Sequence, residues 1–342
     1  MAKIALVTGG NGFIGSHLVG KLVDEGFKVY ALHRKPGSHN PRFNQLIAEG
    51  KVVSVLGDVK DFDYSQLPEK PEYIFHVAGK VSVWGKLDDF MEINYNGTNR
   101  LLEYAKNIRP VCFTYFSSTA VYGYNGYVNL SEDAPKEPFK NPYSISKLAT
   151  ENLVKDYCTE NKLNYLIVRP GNVYGEYDYT SAHEIYTRVK HGKMMMCAKG
   201  KYKSCFVYVK NLVDAVVYLA KDEKNYNTDY NLTDGHNETL FEMLDLIAKT
   251  FNVPAKFKNV PGWLSKVVAT LVECFYKLFC IKKAPLITRF SVWQNCADYS
   301  FSIEKLLSTG FKPQYTMEQG IKNTVEWINK LEESEHENRC KK

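Results

Sequence analysis

The first half of the chain alternates short runs of β-branched and aromatic residues with stretches of helical period. KIALVTG reads as a strand, and SHLVGKLVDEG as a helix closed by Gly26. KVYALHR, KVVSVLGD and YIFHVAG read as three further strands. MEINYNGTNRLLEYAKN reads as a helix, VCFTYFSS as a fifth strand, SISKLATENLVKDYCTEN as a helix and NYLIVRP as a sixth strand. Strands with little internal polarity, separated by helices, predict βαβ units and a parallel sheet covered on both faces.

Beyond Pro170 the pattern loosens. Loops lengthen and tyrosines gather at Tyr174, Tyr177 and Tyr179. The run CFVYVKNLVDAVVYLA, about 204–222, reads as a return to the main sheet with its flanking helix. The expected fold class is α/β: a Rossmann-type, doubly wound parallel sheet over residues 1–170, with a smaller C-terminal α/β substrate domain over 171–342. One further segment, 263–281, is strongly apolar, and its polar residues Lys266, Thr270, Glu273 and Lys277 are spaced 4, 3 and 4. That spacing puts them on one stripe, so the segment reads as an amphipathic helix rather than a membrane span. Such a helix serves either as a packing element (core, lid or dimer contact) or as a peripheral contact with a membrane or a greasy substrate.

Composition changes this picture little. The chain has 342 residues, 44% hydrophobic and 24% charged, with a net charge of +6. That is a globular composition. The mild positive charge is spread out and does not point to nucleic acid, though it suits a phosphate-bearing ligand. Eight cysteines without any C-x-x-C pair, and no leader-like N-terminus, predict reduced thiols in a cytoplasmic protein, membrane-associated if 263–281 lies on a bilayer. The eight histidines show no metal-ligand spacing, so no metal site is expected.

The chemistry starts at Thr8-Gly9-Gly10-Asn11-Gly12-Phe13-Ile14-Gly15, between the first strand and the first helix. Gly9 permits the tight turn, Gly12 lets backbone approach a pyrophosphate, and Gly15 lets helix and strand pack closely. The helix start then offers free N–H groups to an anion. Small-molecule dinucleotide binding follows. After the second strand come His33, Arg34 and Lys35, with no carboxylate for a ribose 2′-hydroxyl, which favours NADP(H) over NAD(H). Asp58-Val59 stands where the adenine is met, and Ala78-Gly79 ends the fourth strand.

Tyr143 and Lys147 lie four apart at a helix start and share a face. A nearby ammonium favours the phenolate, bringing a phenol toward acid/base work. Ser118, at the end of the fifth strand, can orient a substrate oxygen, and Thr119 is the alternative.

The motifs TGGNGFIG, HVAG, NYNGT, FSSTAVYG, YSISK and RPGNVYG, in this order and spacing, resemble the extended branch of the short-chain dehydrogenase/reductase superfamily. The resemblance implies Ser118, Tyr143 and Lys147 as the catalytic triad, and Asn94, Pro170 and Val173 on the cofactor side. It also implies a homodimer. Dehydratases of this branch carry Asp-Glu after the serine/threonine position; Thr119 and Ala120 stand here instead. The sugar-nucleotide enzymes usually carry an arginine before the late strand, where this chain has Lys201 and Lys203. The stretch ITRFSVWQNCADYSFSIEKLLSTGFKP resembles the 3β-hydroxysteroid dehydrogenase and dihydroflavonol reductase relatives. The leading expectation is therefore an alcohol/ketone oxidoreductase for an apolar, steroid- or lipid-like substrate. A sugar-nucleotide epimerase is the alternative. A non-catalytic NADP-binding redox sensor is third, and the presence of both Tyr143 and Lys147 argues against it.

Overall fold

The computed structural model describes residues 2–235 and 237–340. Seven parallel strands form the main sheet: β1 (Ile4–Thr8), β2 (Lys28–His33), β3 (Val52–Leu56), β4 (Tyr73–His76), β5 (Cys112–Phe116), β6 (Tyr165–Pro170) and β7 (Thr228–Leu232). Their order is β3-β2-β1-β4-β5-β6-β7, so the winding reverses beside β1, between β1 and β4. In such sheets ligands bind outside the carboxyl ends of the strands at that reversal. All six strands expected from the hydrophobic runs are present.

The side-chain period of 2 sorts each strand between two cores. Ala5, Val7, Val29, Ala31, Phe75, Phe116 and Val168 face one side, with helices α1 (Phe13–Asp24) and, further along the chain, Val209–Ala220. Leu6, Tyr30, Ile74, Phe113, Tyr115 and Ile167 face the other, with α2 (Gly97–Ile108) and α3 (Pro142–Glu160). Each fully buried aliphatic side chain contributes about 1.5–3 kcal/mol. α3 begins where its sequence says it should. Asn141 caps it by accepting from Ser144 N at 2.9 Å, and Pro142 occupies the first turn.

Two expectations are revised. The return segment does not place a strand in the main sheet. Phe206–Tyr208 pairs instead with Asn172–Tyr174 in a separate two-stranded sheet. The segment's helix, α4 (Val209–Ala220), does join the main sheet's core, and the seventh strand comes later, as β7. A three-residue apolar run cannot by itself reveal which sheet edge it joins. The helix read from MEINYNGTNRLLEYAKN is also broken: Leu87–Phe90 is α-helical, Met91–Asn96 is a π turn, and α2 follows.

A third core gathers Tyr174, Tyr186, Tyr208, Leu244, Ile247, Ile321 and Val325 in the C-terminal half. There too are α5 (Gly262–Leu278), α6 (Arg289–Gln294) and α7 (Met317–Cys340). Among the described residues, no helix is long and apolar enough to cross a membrane.

Candidate active site

The glycine turn has the geometry its sequence implies. Gly9 sits at φ +68°, where other residues are strained, and a Cβ there would meet Ala78 Cα at 3.0 Å. A Cβ on Gly15 would lie 2.1 Å from the Gly9 carbonyl oxygen, so the close packing is helix against turn rather than helix against strand. Gly12 is the N-cap of α1 and supplies no side-chain cap, leaving the first turn, Phe13 to Gly15, open to an anion.

Around this turn the ends of β1 and β4 are stitched together. Thr8 Oγ1 lies 2.7 Å from His76 Nδ1 and accepts from Ala78 N at 3.2 Å. His76 Nε2 lies 2.8 Å from Thr98 Oγ1, and burial brings the imidazole down to about 3, so it is neutral. No His, Cys, Asp or Glu cluster able to hold a metal occurs among the described residues. His236 lies outside them.

At Gly79 several residues expected on the cofactor side converge. A Cβ on it would come within 3.2 Å of Asn94 Oδ1 and 3.4 Å of Lys147 Nζ. The π turn aims Asn94 inward: its Oδ1 accepts from Lys80 N at 2.6 Å and its Nδ2 donates to Ser146 Oγ at 2.9 Å. Single π turns recur at functional sites for this reason, since one added residue redirects a side chain. Val59 is buried against Gly97, and Asp58 holds Lys60 N at 3.1 Å. Arg34 is exposed, 4.0 Å from the Asp58 carboxylate. His33 is turned inward, its nitrogens engaged by the Lys35 carbonyl and Ser54 Oγ. Arg34 therefore presents the basic charge at this edge, and His33 does not. Pro170 ends β6, and Val173 lies in the short strand just after it.

Ser118, Tyr143 and Lys147 come together at the end of β5. The Ser118 hydroxyl lies close enough to the Tyr143 phenol to favour its ionised form. Lys147 Nζ donates to the Phe116 carbonyl at 2.7 Å. Thr119 is otherwise engaged, donating to the Pro170 carbonyl at 3.2 Å and bonded to the Tyr299 hydroxyl. That leaves Ser118 as the partner of Tyr143. Burial raises the Tyr143 phenol, opposed by Ser118. Burial also brings Lys147 down to about 8, opposed by Glu151. The protein groups alone thus do not lower the phenol as the Tyr-Lys spacing led us to expect, because desolvation outweighs the opposing Ser118 hydroxyl.

A polar layer beneath the site escaped the sequence reading. Arg169 is fully buried and grips Glu151 with two bonds, Nε to Oε2 at 3.0 Å and Nη2 to Oε1 at 2.7 Å. Ser117 Oγ donates to the same carboxylate at 2.7 Å, and Asp229 also pairs with Arg169. The clues were an arginine inside an apolar strand, and a glutamate two helical turns beyond Tyr143.

On the substrate side Tyr143 meets aromatics. Phe290 of α6 lies edge-on at 6.5 Å, itself 5.3 Å from Tyr124 and 6.2 Å from Phe139. Trp293 stands 6.1 Å from Phe139.

This fold, with Ser118, Tyr143 and Lys147 grouped at the end of β5, is that of an enzyme of the extended short-chain dehydrogenase/reductase type. Residues 5–233 match the model of the NAD dependent epimerase/dehydratase family, and the chain belongs to that family. It is 27% identical over 341 residues to human dTDP-D-glucose 4,6-dehydratase, covering 95% of this chain and 90% of that protein. It is 26% identical over 333 residues to the 2-alkyl-3-oxoalkanoate reductase of Shewanella oneidensis, covering 93% and 84%. Among solved structures it resembles the UDP-glucose 4-epimerase of Thermotoga maritima with UDP-glucose, at TM-score 0.77 and 24% identity, over 96% of this chain and 99% of that one.

Proposed function

We propose that the chain interconverts a secondary alcohol and a ketone, with Tyr143 exchanging the proton, Ser118 fixing the reacting oxygen and Lys147 holding a positive charge beside them. The observation that carries this is the grouping of Ser118, Tyr143 and buried Lys147 at the end of β5, with Ser118 close enough to oppose the rise of the Tyr143 phenol. A nicotinamide dinucleotide fits the residues present: the uncapped start of α1 for its phosphates, Asp58 and Val59 for its adenine, and Asn94, Gly79, Lys147, Pro170 and Val173 for its nicotinamide half. When bound, that group supplies the hydride acceptor or donor. Exposed Arg34 and the lack of a carboxylate at the end of β2 support NADP(H), while Asp58 beside Arg34 works against it.

Two substrate readings have distinct support. The aromatic wall of Phe290, Phe139, Tyr124 and Trp293 beside Tyr143 supports an apolar ketone or alcohol, as does the likeness to a named alkyl-oxoalkanoate reductase. The weight of the comparisons favours a sugar-nucleotide epimerase, because the named relatives and solved structures are mostly sugar-nucleotide enzymes. The lysines at 201 and 203 suit its diphosphate. Dehydration has no support at Thr119-Ala120, since Thr119 is consumed by Pro170 and Tyr299.

The test compares NADPH with NADH against long-chain ketones, ketosteroids and UDP-sugars. Stoichiometric loss of reduced cofactor with an apolar ketone establishes the first reading. Interconversion of a UDP-sugar without net loss establishes the second. In either case Tyr143→Phe is expected to bind cofactor normally and to lose about 10²–10⁴-fold in turnover, the contribution of a positioned general acid/base. Full turnover in that variant overturns the role of Tyr143.

A further inference from the structure

α5 is inside out. An ordinary surface helix turns its charged stripe to water and its apolar stripe to the core. Here Ser265 and Ala269 are buried, and Lys266, Thr270 and Glu273 of the polar stripe are half-buried toward the same inner side, while Lys277 at the helix end is exposed. Lys266 Nζ sits 5.3 Å over the Trp293 ring, and Glu273 accepts from Arg289 N at 2.6 Å. The outer face carries Trp263 at 70% exposure, Leu271 at 65%, Phe275 at 54% and Leu278 at 77%, continued by Phe279 at 61% and fully exposed Leu286. The positions 264, 267, 271, 275 and 278 form one continuous apolar stripe along the helix.

The rim of this face is basic. Lys256 and Lys258 are exposed ahead of the helix, and Lys277, Lys282 and Lys283 are exposed at and after its end. From 252 to 288 the sequence holds a single acidic residue, Glu273, and it is turned inward. A second copy of the chain is a poor occupant, because a two-fold contact would bring one lysine rim against its image. Anionic headgroups around an apolar layer complement both features. Trp263 at one end suits the headgroup boundary, and the helix is too polar on its inner side to insert fully.

We propose that the outer face of α5 docks the protein on anionic lipid bilayers, lying in the interface and not crossing it. The helix is tied to the active site from both sides. Trp84, in the loop following Gly79, donates from Nε1 to the Ile281 carbonyl at 3.1 Å, and its ring meets Tyr276 edge-on at 6.1 Å. On the inner side α5 packs on α6, whose Phe290 touches Tyr143. Docking therefore holds the roof of the catalytic site at the bilayer. It rests on α5 alone and stands whichever substrate reading holds.

The experiment is co-sedimentation of the full chain with vesicles of phosphatidylcholine alone and of phosphatidylcholine with phosphatidylglycerol. Retention is expected on the mixed vesicles, falling as salt rises. Leu271→Asp/Phe275→Asp is expected to abolish it while leaving cofactor binding intact. Each of Lys282→Ala and Lys283→Ala is expected to weaken it roughly fivefold, the equivalent of about 1 kcal/mol per basic residue near an anionic surface. Three results overturn the proposal: no retention on mixed vesicles; retention unchanged in the Leu271→Asp/Phe275→Asp variant; or, without lipid, a dimer that this variant converts to monomer, since the face would then be a contact between copies.

Discussion

At the junction of β5, β6 and α3, charge is buried; along α5, apolar side chains are exposed. Both reverse the usual sorting of residues, and the difference lies in what satisfies them. Arg169 and Glu151 are fully withdrawn from solvent, yet every charge has partners: Ser117, Tyr122, Asp229 and Lys136 surround them. The exposed stripe of α5 has no such partner among the described residues; its neighbours on α6 take the polar side instead. The first reversal is complete within the molecule and so reads as architecture for the site above it. The second is complete only against something apolar outside.

Breaking one partner of the buried layer should give the largest effect. Arg169→Met leaves Glu151 and Asp229 with only the partly exposed ammonium groups of Lys136, Lys155 and Lys305, and removing one member of a buried pair costs about 3–5 kcal/mol. Denaturant unfolding is expected to show that loss. Adding Glu151→Gln is expected to restore part of it, because a neutral amide at 151 no longer demands a buried counter-charge. Equal loss in the single and double variants would mean that the layer contributes shape and not charge pairing. Glu151 is a positioning residue: Glu151→Gln alone removes the negative charge that holds Lys147 up, so the alkaline limb of the pH–rate profile is expected to move to lower pH. An unchanged limb would reduce Glu151 to a structural role.

A smaller effect is expected in how stability depends on pH. His76 is neutral, held at about 3 by burial against an ordinary value of 6.5. Between those values the unfolded chain takes up a proton that the native chain refuses, so stability falls as pH drops below 6.5. At pH 5 the contribution lost is about 2 kcal/mol. His76→Gln is expected to flatten the slope between pH 6.5 and 5 by that amount. The parent keeps further slope from His17 and His33, both also lowered by burial. The carboxylates Glu151 and Asp229, held below their usual range, add their loss only at lower pH.

These two regions also mark what could be read in advance. Six of the seven sheet strands and the shared helical face of Tyr143 and Lys147 were legible, because a short apolar run and an interval of one helical turn are local properties of sequence. The glycine turn was legible for the same reason, except that Gly15 packs on Gly9 and not on the strand. What escaped depends on distant pieces of chain. β7 is joined to β6 across 57 intervening residues, from Pro170 to Thr228, and nothing in TDYNL announces its neighbour. Glu151 and Arg169 are separated by 18 positions and meet only because α3 lies on the sheet. On α5 the stripe of Lys266, Thr270, Glu273 and Lys277 was legible as a stripe, but periodicity fixes the angle between two faces and not which face looks outward. Trp293 and Arg289, which draw the polar side in, lie on another helix.

The smallest effect sharpens the contrast most directly. Leu271 and Phe275 are more than half exposed, so in lipid-free solution the native state gains little from them over the unfolded chain. Surface substitutions of this kind usually fall within ±0.5 kcal/mol each. Leu271→Asp/Phe275→Asp is therefore expected to leave unfolding in buffer within about 1 kcal/mol of the parent. The expected shift is toward higher stability if the new carboxylates offset the lysine rim. A loss comparable with that of Arg169→Met would show the stripe to be packed against some part of the fold, and would remove the distinction between a reversal satisfied inside the molecule and one satisfied outside it.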